Sequence, residues 1–318
     1  MTSLRLSLTC ALLALGRTQE EEPARLASFL VLGDWGWDPD SHGDVRSRAC
    51  QQVIADTMNA VMEELGDVKF VVNVGDSFYP MGVKDKADPK WNSMWRNVYS
   101  NRVRSVPWYS VYGNHDMIID NGLCRGDDTA SAQINYDLSD RNQFYMPGFS
   151  WRVEHPELDL EILALDLNHL WAHNTCRWSP CERECLARTK ARQEAALVLF
   201  DERMAQSNSS NMVVFSHYPT DYLWAIPGML GKLSNATRPN GATRHVEYFA
   251  GHRHNVDQTS TTSIHPNSNW VVGGGGGWGC DGKEQGFVVG QLLANGTLLT
   301  RSVLVDPFIC CKDSPWGR

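Results

Sequence analysis

Residues 69–80 read KFVVNVGDSFYP. The first half is a β-branched apolar run of the kind that forms a buried strand, and it stops abruptly at Gly75-Asp76. The same pattern recurs in SFLVLGD (28–34), WYSVYGN (108–114), NMVVFSH (211–217) and VEYFAGH (246–252), each an apolar run halted by a polar residue. Between these runs, Val45–Leu65, Pro89–Tyr99 and Glu184–Gln206 have amphipathic spacing without internal Pro or Gly and read as helices. Strands alternating with helices predict a layered α/β protein. In such sheets ligands collect outside the carboxyl ends of the strands, so Asp34, Asp76, Asn114, His217 and His252 are expected to converge on one site. Glycines just before four of them let the backbone turn sharply and approach a ligand.

The chain has 318 residues, enough for one large core, and no linker composition divides it. Its net charge of -8, with Lys and Arg scattered along the chain, excludes the basic stripe that nucleic-acid binding requires. An acidic surface still admits an anionic substrate, because metal ions in a cleft dominate the local field. Beyond the first twenty residues no stretch is apolar for long enough to cross a bilayer.

The N-terminal MTSLRLSLTCALLALG has an early Arg5, an apolar stretch from Leu6 to Leu15 and small residues at Ala14 and Gly16. It reads as a secretory signal peptide over residues 1–19, which predicts a secreted or endolysosomal (vacuolar) lumenal protein. Nine cysteines agree with export, and in that compartment the group Cys176, Cys181 and Cys185, with His169 and His173 close by, reads as disulfides rather than a zinc cluster. Sequons at Asn208, Asn235 and Asn295 predict glycosylation.

Taken singly, each strand-end motif has a plain structural reading as a turn, a cap or a hydrogen-bonded histidine. Taken together, the oxygen donors Asp34, Asp76, Tyr79 and Asn114 with the imidazoles of His217, His252 and His254 suit a pair of first-row metals, bridged by the two oxygens of Asp76. Tyr79 has two readings on the residues alone: a phenolate ligand, or an aromatic that packs beside Phe78 and Pro80.

The ordered set GDWG (33–36), GDSFYP (75–80), YGNHD (112–116), SHYP (216–219) and GHRHN (251–255) resembles the calcineurin-like metallophosphoesterases. The tyrosine narrows the resemblance to the purple acid phosphatases, and the recurrence of all five motifs in order within a chain of similar length resembles their small mammalian, tartrate-resistant type. That likeness implies a metallo-dependent phosphatase fold, a four-layer sandwich of two mixed β-sheets flanked by helices, over residues 27–306, with 307–318 as a tail. It implies Fe(III) held by Asp34, Asp76, Tyr79 and His254, and divalent Fe, Zn or Mn held by Asp76, Asn114, His217 and His252. The implied activity is hydrolysis of small phosphate monoesters, or of phosphoprotein, by attack of a metal-bound hydroxide, in a monomer. His115 is the expected catalytic group that protonates the leaving oxygen, oriented by Asp116.

Two positions depart from the family pattern. No second histidine follows His217, where Asp221 and Tyr222 stand instead, and Arg253 occupies a place inside the GHRH motif that is often acidic. Gly273–Gly277, after the apolar run Asn269–Val272, is expected either to bind phosphate through backbone N–H groups or to serve packing. Residues 287–306 read as a hairpin turning at Asn295-Gly296. Two alternatives keep the same fold: a phosphodiesterase or nucleotidase with no ferric-tyrosinate site, and a non-catalytic secreted binding protein.

Overall fold

The computed structural model describes residues 23–37, 45–134, 136, 144–258, 268–279 and 281–311. The expected leader, Cys280 and residues 312–318 of the expected tail lie outside them. Twelve strands are described: β1 (Arg25–Leu32), β2 (Val68–Asn73), β3 (Trp108–Ser110), β4 (Phe144–Tyr145), β5 (Trp151–His155), β6 (Leu160–Ala164), β7 (Asn211–Phe215), β8 (His245–Ala250), β9 (Val256–Asp257), β10 (Ser268–Val272), β11 (Gly286–Leu293) and β12 (Leu298–Leu304). They form two six-stranded sheets, ordered β12-β11-β1-β2-β3-β4 and β5-β6-β7-β8-β10-β9. Both sheets are mixed. The central pairs β1/β2, β2/β3, β6/β7, β7/β8 and β8/β10 are parallel, whereas β1/β11, β11/β12, β5/β6 and β9/β10 are antiparallel.

Side-chain alternation explains why the central strands are apolar throughout. Phe29 and Val31 of β1 face the second sheet and pack with Val213, Phe215 and Phe249. Leu30 and Leu32 of the same strand face outward onto Ile54 and Met58 of helix α1 (Val45–Leu65). On the far side, Leu163, Val214 and Tyr248 pack under Phe200 and Met204 of helix α2 (Glu182–Gln206). With both faces covered there is no polar face, and period 2 is invisible in the sequence. The architecture is therefore helix, sheet, sheet, helix, as expected.

Some details differ from the sequence reading. The second expected helix is confined to Trp91–Arg96 and is wound wide, with Asn97 N donating to Asn92 O. Its Trp91 and Trp95 are buried among Trp108, Phe144 and Tyr136, so aromatic packing, rather than regular winding, sets its shape. Strands β5 and β6 were not anticipated. The hairpin β11/β12 forms, and its loop closes with Gly296 N on Leu293 O and a positive φ of 82° at Gly296.

Disulfides join Cys50 to Cys310, Cys124 to Cys181 and Cys176 to Cys185. All three cysteines of the conceivable zinc cluster are thus consumed. The first bridge staples α1 to the segment after β12, 260 residues along the chain. Such bridging fits an oxidising compartment. None of the described helices is long and apolar enough to cross a membrane.

Candidate metal centre

Ladder pairing ends two to four residues before each candidate ligand, at Leu32, Asn73, Ser110, Phe215 and Ala250. The short segments that follow carry Asp34, Asp76, Asn114, His217 and His252 over the same edge of the two sheets. Three of these residues, Asp34, Asp76 and His252, have positive φ values of 55°, 50° and 69°. Non-glycine residues pay for that conformation, and it is found where surrounding structure over-determines the backbone. The preceding glycines have a steric cause. A Cβ on Gly113 would come within 2.1 Å of Asp76 Oδ1, and one on Gly251 within 2.2 Å of Asp34 Oδ2.

All seven candidate ligands meet. The Tyr79 hydroxyl lies 3.0 Å from Asp34 Oδ1, 3.0 Å from Asp76 Oδ2 and 3.2 Å from His254 Nε2. Asn114 Oδ1 lies 3.1 Å from His217 Nε2 and 2.9 Å from His252 Nδ1. His217 Nε2 is 3.3 Å from Asp76 Oδ2, which links the two groups through that carboxylate. Ligand atoms of Asp34, Asp76 and His217 all fall within 4.8 Å of one another. His217 Nδ1 donates to Val74 O, so its Nε2 faces the cluster.

The electrostatics mark the same place. Burial, together with the charge of Asp76, holds the Asp34 carboxyl well above its ordinary range. Burial acts on Asp76 in the same sense, but the charges of His217 and His115 outweigh it and keep this carboxyl ionised well below the usual range. His217 answers in kind: burial disfavours its charge, yet Asp76 and Asp34 push it up to about 9. Burial and the charge of His217 push His252 down to about 3. Burial and the two carboxylates also raise the Tyr79 phenol. Two carboxylates and a phenolate enclosed together would repel one another unless cations compensated them, and this set of hard oxygens and imidazoles fits first-row metal ions.

His115 borders the cluster. Its backbone N–H donates to Asp76 Oδ1 at 2.8 Å and its Nδ1 to Pro80 O, while its ring lies 4.7 Å from the Tyr79 ring and 5.2 Å from that of Trp278. Asp116 does not orient it, contrary to the sequence reading. The Asp116 carboxylate turns into the protein, Oδ1 accepting from Ser77 N and Phe78 N and Oδ2 from Gly113 N. It clamps the Asp76 loop to the Asn114 loop from below. The glycine run is not a free cradle either. Gly275 N donates to Gly33 O and Gly277 N to Asp34 O, and a Cβ on Gly277 would reach within 2.8 Å of the Tyr79 ring. These glycines let one backbone pack against another beside the site.

Supporting residues were missed in the sequence. Asn73 accepts from Trp35 Nε1 and donates to Ser77 Oγ and Ser110 Oγ, tying three strand ends together. Asn168 donates to Tyr112 O and accepts from the hydroxyl of Tyr218, whose ring packs 5.0 Å from His252. The signal available for Asn168 was the run LEILALD (160–166), another apolar stretch stopped by an acid.

The Calcineurin-like phosphoesterase family matches residues 27–256. The chain is similar to tartrate-resistant acid phosphatase type 5 of Mus musculus, 27% identical over 245 residues, covering 75% of this chain and 70% of that one. The Homo sapiens protein of the same name is 27% identical over 234 residues, covering 72% and 67%. Purple acid phosphatase 7 of Arabidopsis thaliana is 39% identical over 89 residues, only 28% of this chain and 24% of that one. Among solved structures, the one titled "GAP50 the anchor in the inner membrane complex of Plasmodium" superposes with a TM-score of 0.59 at 19% identity, covering 87% of this chain and 84% of that one. At that identity the likeness concerns the fold alone.

Proposed function

Because the chain belongs to the calcineurin-like phosphoesterases, we propose that it is a secreted acid phosphatase that hydrolyses phosphate monoesters at a binuclear metal centre. Asp34, Asp76, Tyr79 and His254 hold Fe(III). Asp76, Asn114, His217 and His252 hold a divalent Fe, Zn or Mn. The observation that carries this reading is the hydroxyl of the fully buried Tyr79, within 3.2 Å of Asp34, Asp76 and His254. A tyrosine that only filled space would bury its ring and send its oxygen to an ordinary partner. This one aims its oxygen into the cluster.

When bound, the metals supply Lewis acidity and an activated water. The protein's own groups do the rest. Asp76 joins the two ligand sets, and the Nδ1 bond of His217 to Val74 O keeps its Nε2 aimed inward. With Nδ1 engaged by Pro80 O, His115 has Nε2 for a proton passed to the leaving oxygen, and the rings of Tyr79 and Trp278 hold its plane. The leader, the three sequons, whose asparagines are exposed, and the disulfides belong to the same reading of a monomeric lumenal enzyme.

The test is a visible spectrum of the purified protein, with metal content and turnover of mono- and diesters measured on the same sample. A tyrosinate-to-iron band that is lost in Tyr79→Phe, together with monoester hydrolysis, is the expected result. A colourless two-metal protein that prefers diesters would move the chain to another branch of the family, and a metal-loaded protein with no turnover would leave it a binding protein.

A further inference from the structure

The two departures from the family pattern are partners. Arg253 Nη2 donates to Asp221 Oδ2, so the loop after His217 and the segment between His252 and His254 are joined by an ion pair. The Arg253 side chain is 42% exposed while Asp221 is only 19% exposed, and Asp221 Oδ1 is buried with no partner among the described residues. The carboxylate is thus committed inward, and the guanidinium faces solvent at the rim. Arg253 stands in sequence between two candidate metal ligands. Beside it, the half-buried Tyr222 ring lies 5.2 Å from the His252 ring, and Trp171 closes the same edge 5.6 Å from His252. The rim beyond His254 is acidic: Asp281 Oδ2 accepts from His254 N and lies 3.8 Å from its Nδ1.

The contact with Asp221 uses Nη2 of Arg253, and the exposed remainder of the guanidinium is open to an anion that approaches the centre. A guanidinium carries five N–H donors in a planar fork suited to phosphate, and an ion pair that already orients it reduces the entropy lost on binding. We propose that Arg253, steered by Asp221, is the specificity-determining residue for substrates that carry a second phosphate next to the one engaged at the metal centre. The inference rests on the metal-site reading above and adds a substrate class to it.

The experiment titrates the metal-loaded, full-length protein with orthophosphate and with pyrophosphate by calorimetry, and checks metal content after each titration. The wild type is expected to prefer pyrophosphate. In Arg253→Gln the ratio of pyrophosphate to orthophosphate affinity is expected to fall about tenfold or more, as loss of one charge-assisted contact implies, and Arg253→Lys is expected to restore part of it. Asp221→Asn, which keeps Arg253 but loosens it, should give an intermediate ratio. An unchanged ratio in Arg253→Gln overturns the assignment, whether both affinities hold or both fall together, and so does a wild type with no preference. A loaded wild type that shows the expected ratios but turns over no phosphate monoester supports the role of Arg253 and overturns the phosphatase reading, so the two fail separately.

Discussion

Replacing Asp116 tests whether it serves the chemistry or the scaffold. Its buried carboxylate accepts from three backbone N–H groups, those of Ser77 at 2.9 Å, Phe78 at 3.1 Å and Gly113 at 2.9 Å. Asp116→Ala leaves all three buried donors without an acceptor, and each such loss costs about 1–3 kcal/mol. Partial relaxation brings the sum to roughly 3–5 kcal/mol, a large share of the ~5–15 kcal/mol that typically separates folded from unfolded chains. The melting temperature of the metal-loaded protein should fall by roughly 10 °C. Asp116→Asn keeps the shape and one acceptor oxygen, which still serves Ser77 and Phe78, but turns an amide N–H toward that of Gly113. Its cost is about 1–2 kcal/mol. Melting followed by near-ultraviolet circular dichroism, with metal content and turnover measured on the same samples, reads both variants. The reasoning is refuted if Asp116→Asn melts with the wild type yet loses about a hundredfold or more in turnover, because that is the signature of a carboxylate acting through His115.

His115→Ala is expected to lose about 10²–10⁴ in turnover while keeping both metals, since it is the group proposed to protonate the leaving oxygen; equal activity would remove it from the mechanism, and metal loss would make it structural. Stripping the metals with a chelator under reducing conditions leaves the buried carboxylates uncompensated. With free metal near a hundredfold above its dissociation constant, the binding contributes about 2.7 kcal/mol, so melting should drop roughly 5–10 °C and recover on reloading; no shift would argue against a metal centre at these residues. Arg203 of α2 donates to the fully buried Glu161 of β6 at 2.7 Å. Arg203→Met should therefore cost about 3–5 kcal/mol by denaturant unfolding, and the double variant with Glu161→Met should recover much of it; a single variant as stable as the wild type would contradict this.

Much of the frame was legible because its signals are local. Val45–Leu65 is helical over the span its amphipathic spacing indicated, and the five apolar runs lie side by side in the parallel parts of two sheets. Strand β6 was overlooked although LEILALD has the same form, and the segment around Trp91 was read as an ordinary helix because aromatic packing partners distant in sequence leave no periodic trace. Asn73 was hidden inside an apolar run, where nothing nearby reveals that its amide links Trp35, Ser77 and Ser110.

The sequence by itself determined the identity and order of the candidate ligands and the placement of five of them just after strand ends, since a polar residue closing an apolar run is a covalent pattern. Only the tertiary structure decided which cysteines pair, which way Asp116 turns, and that Arg253 meets Asp221. Each of those depends on where two loops far apart in the chain come to rest, and that is set by the packing of two sheets against each other, not by the residues beside them.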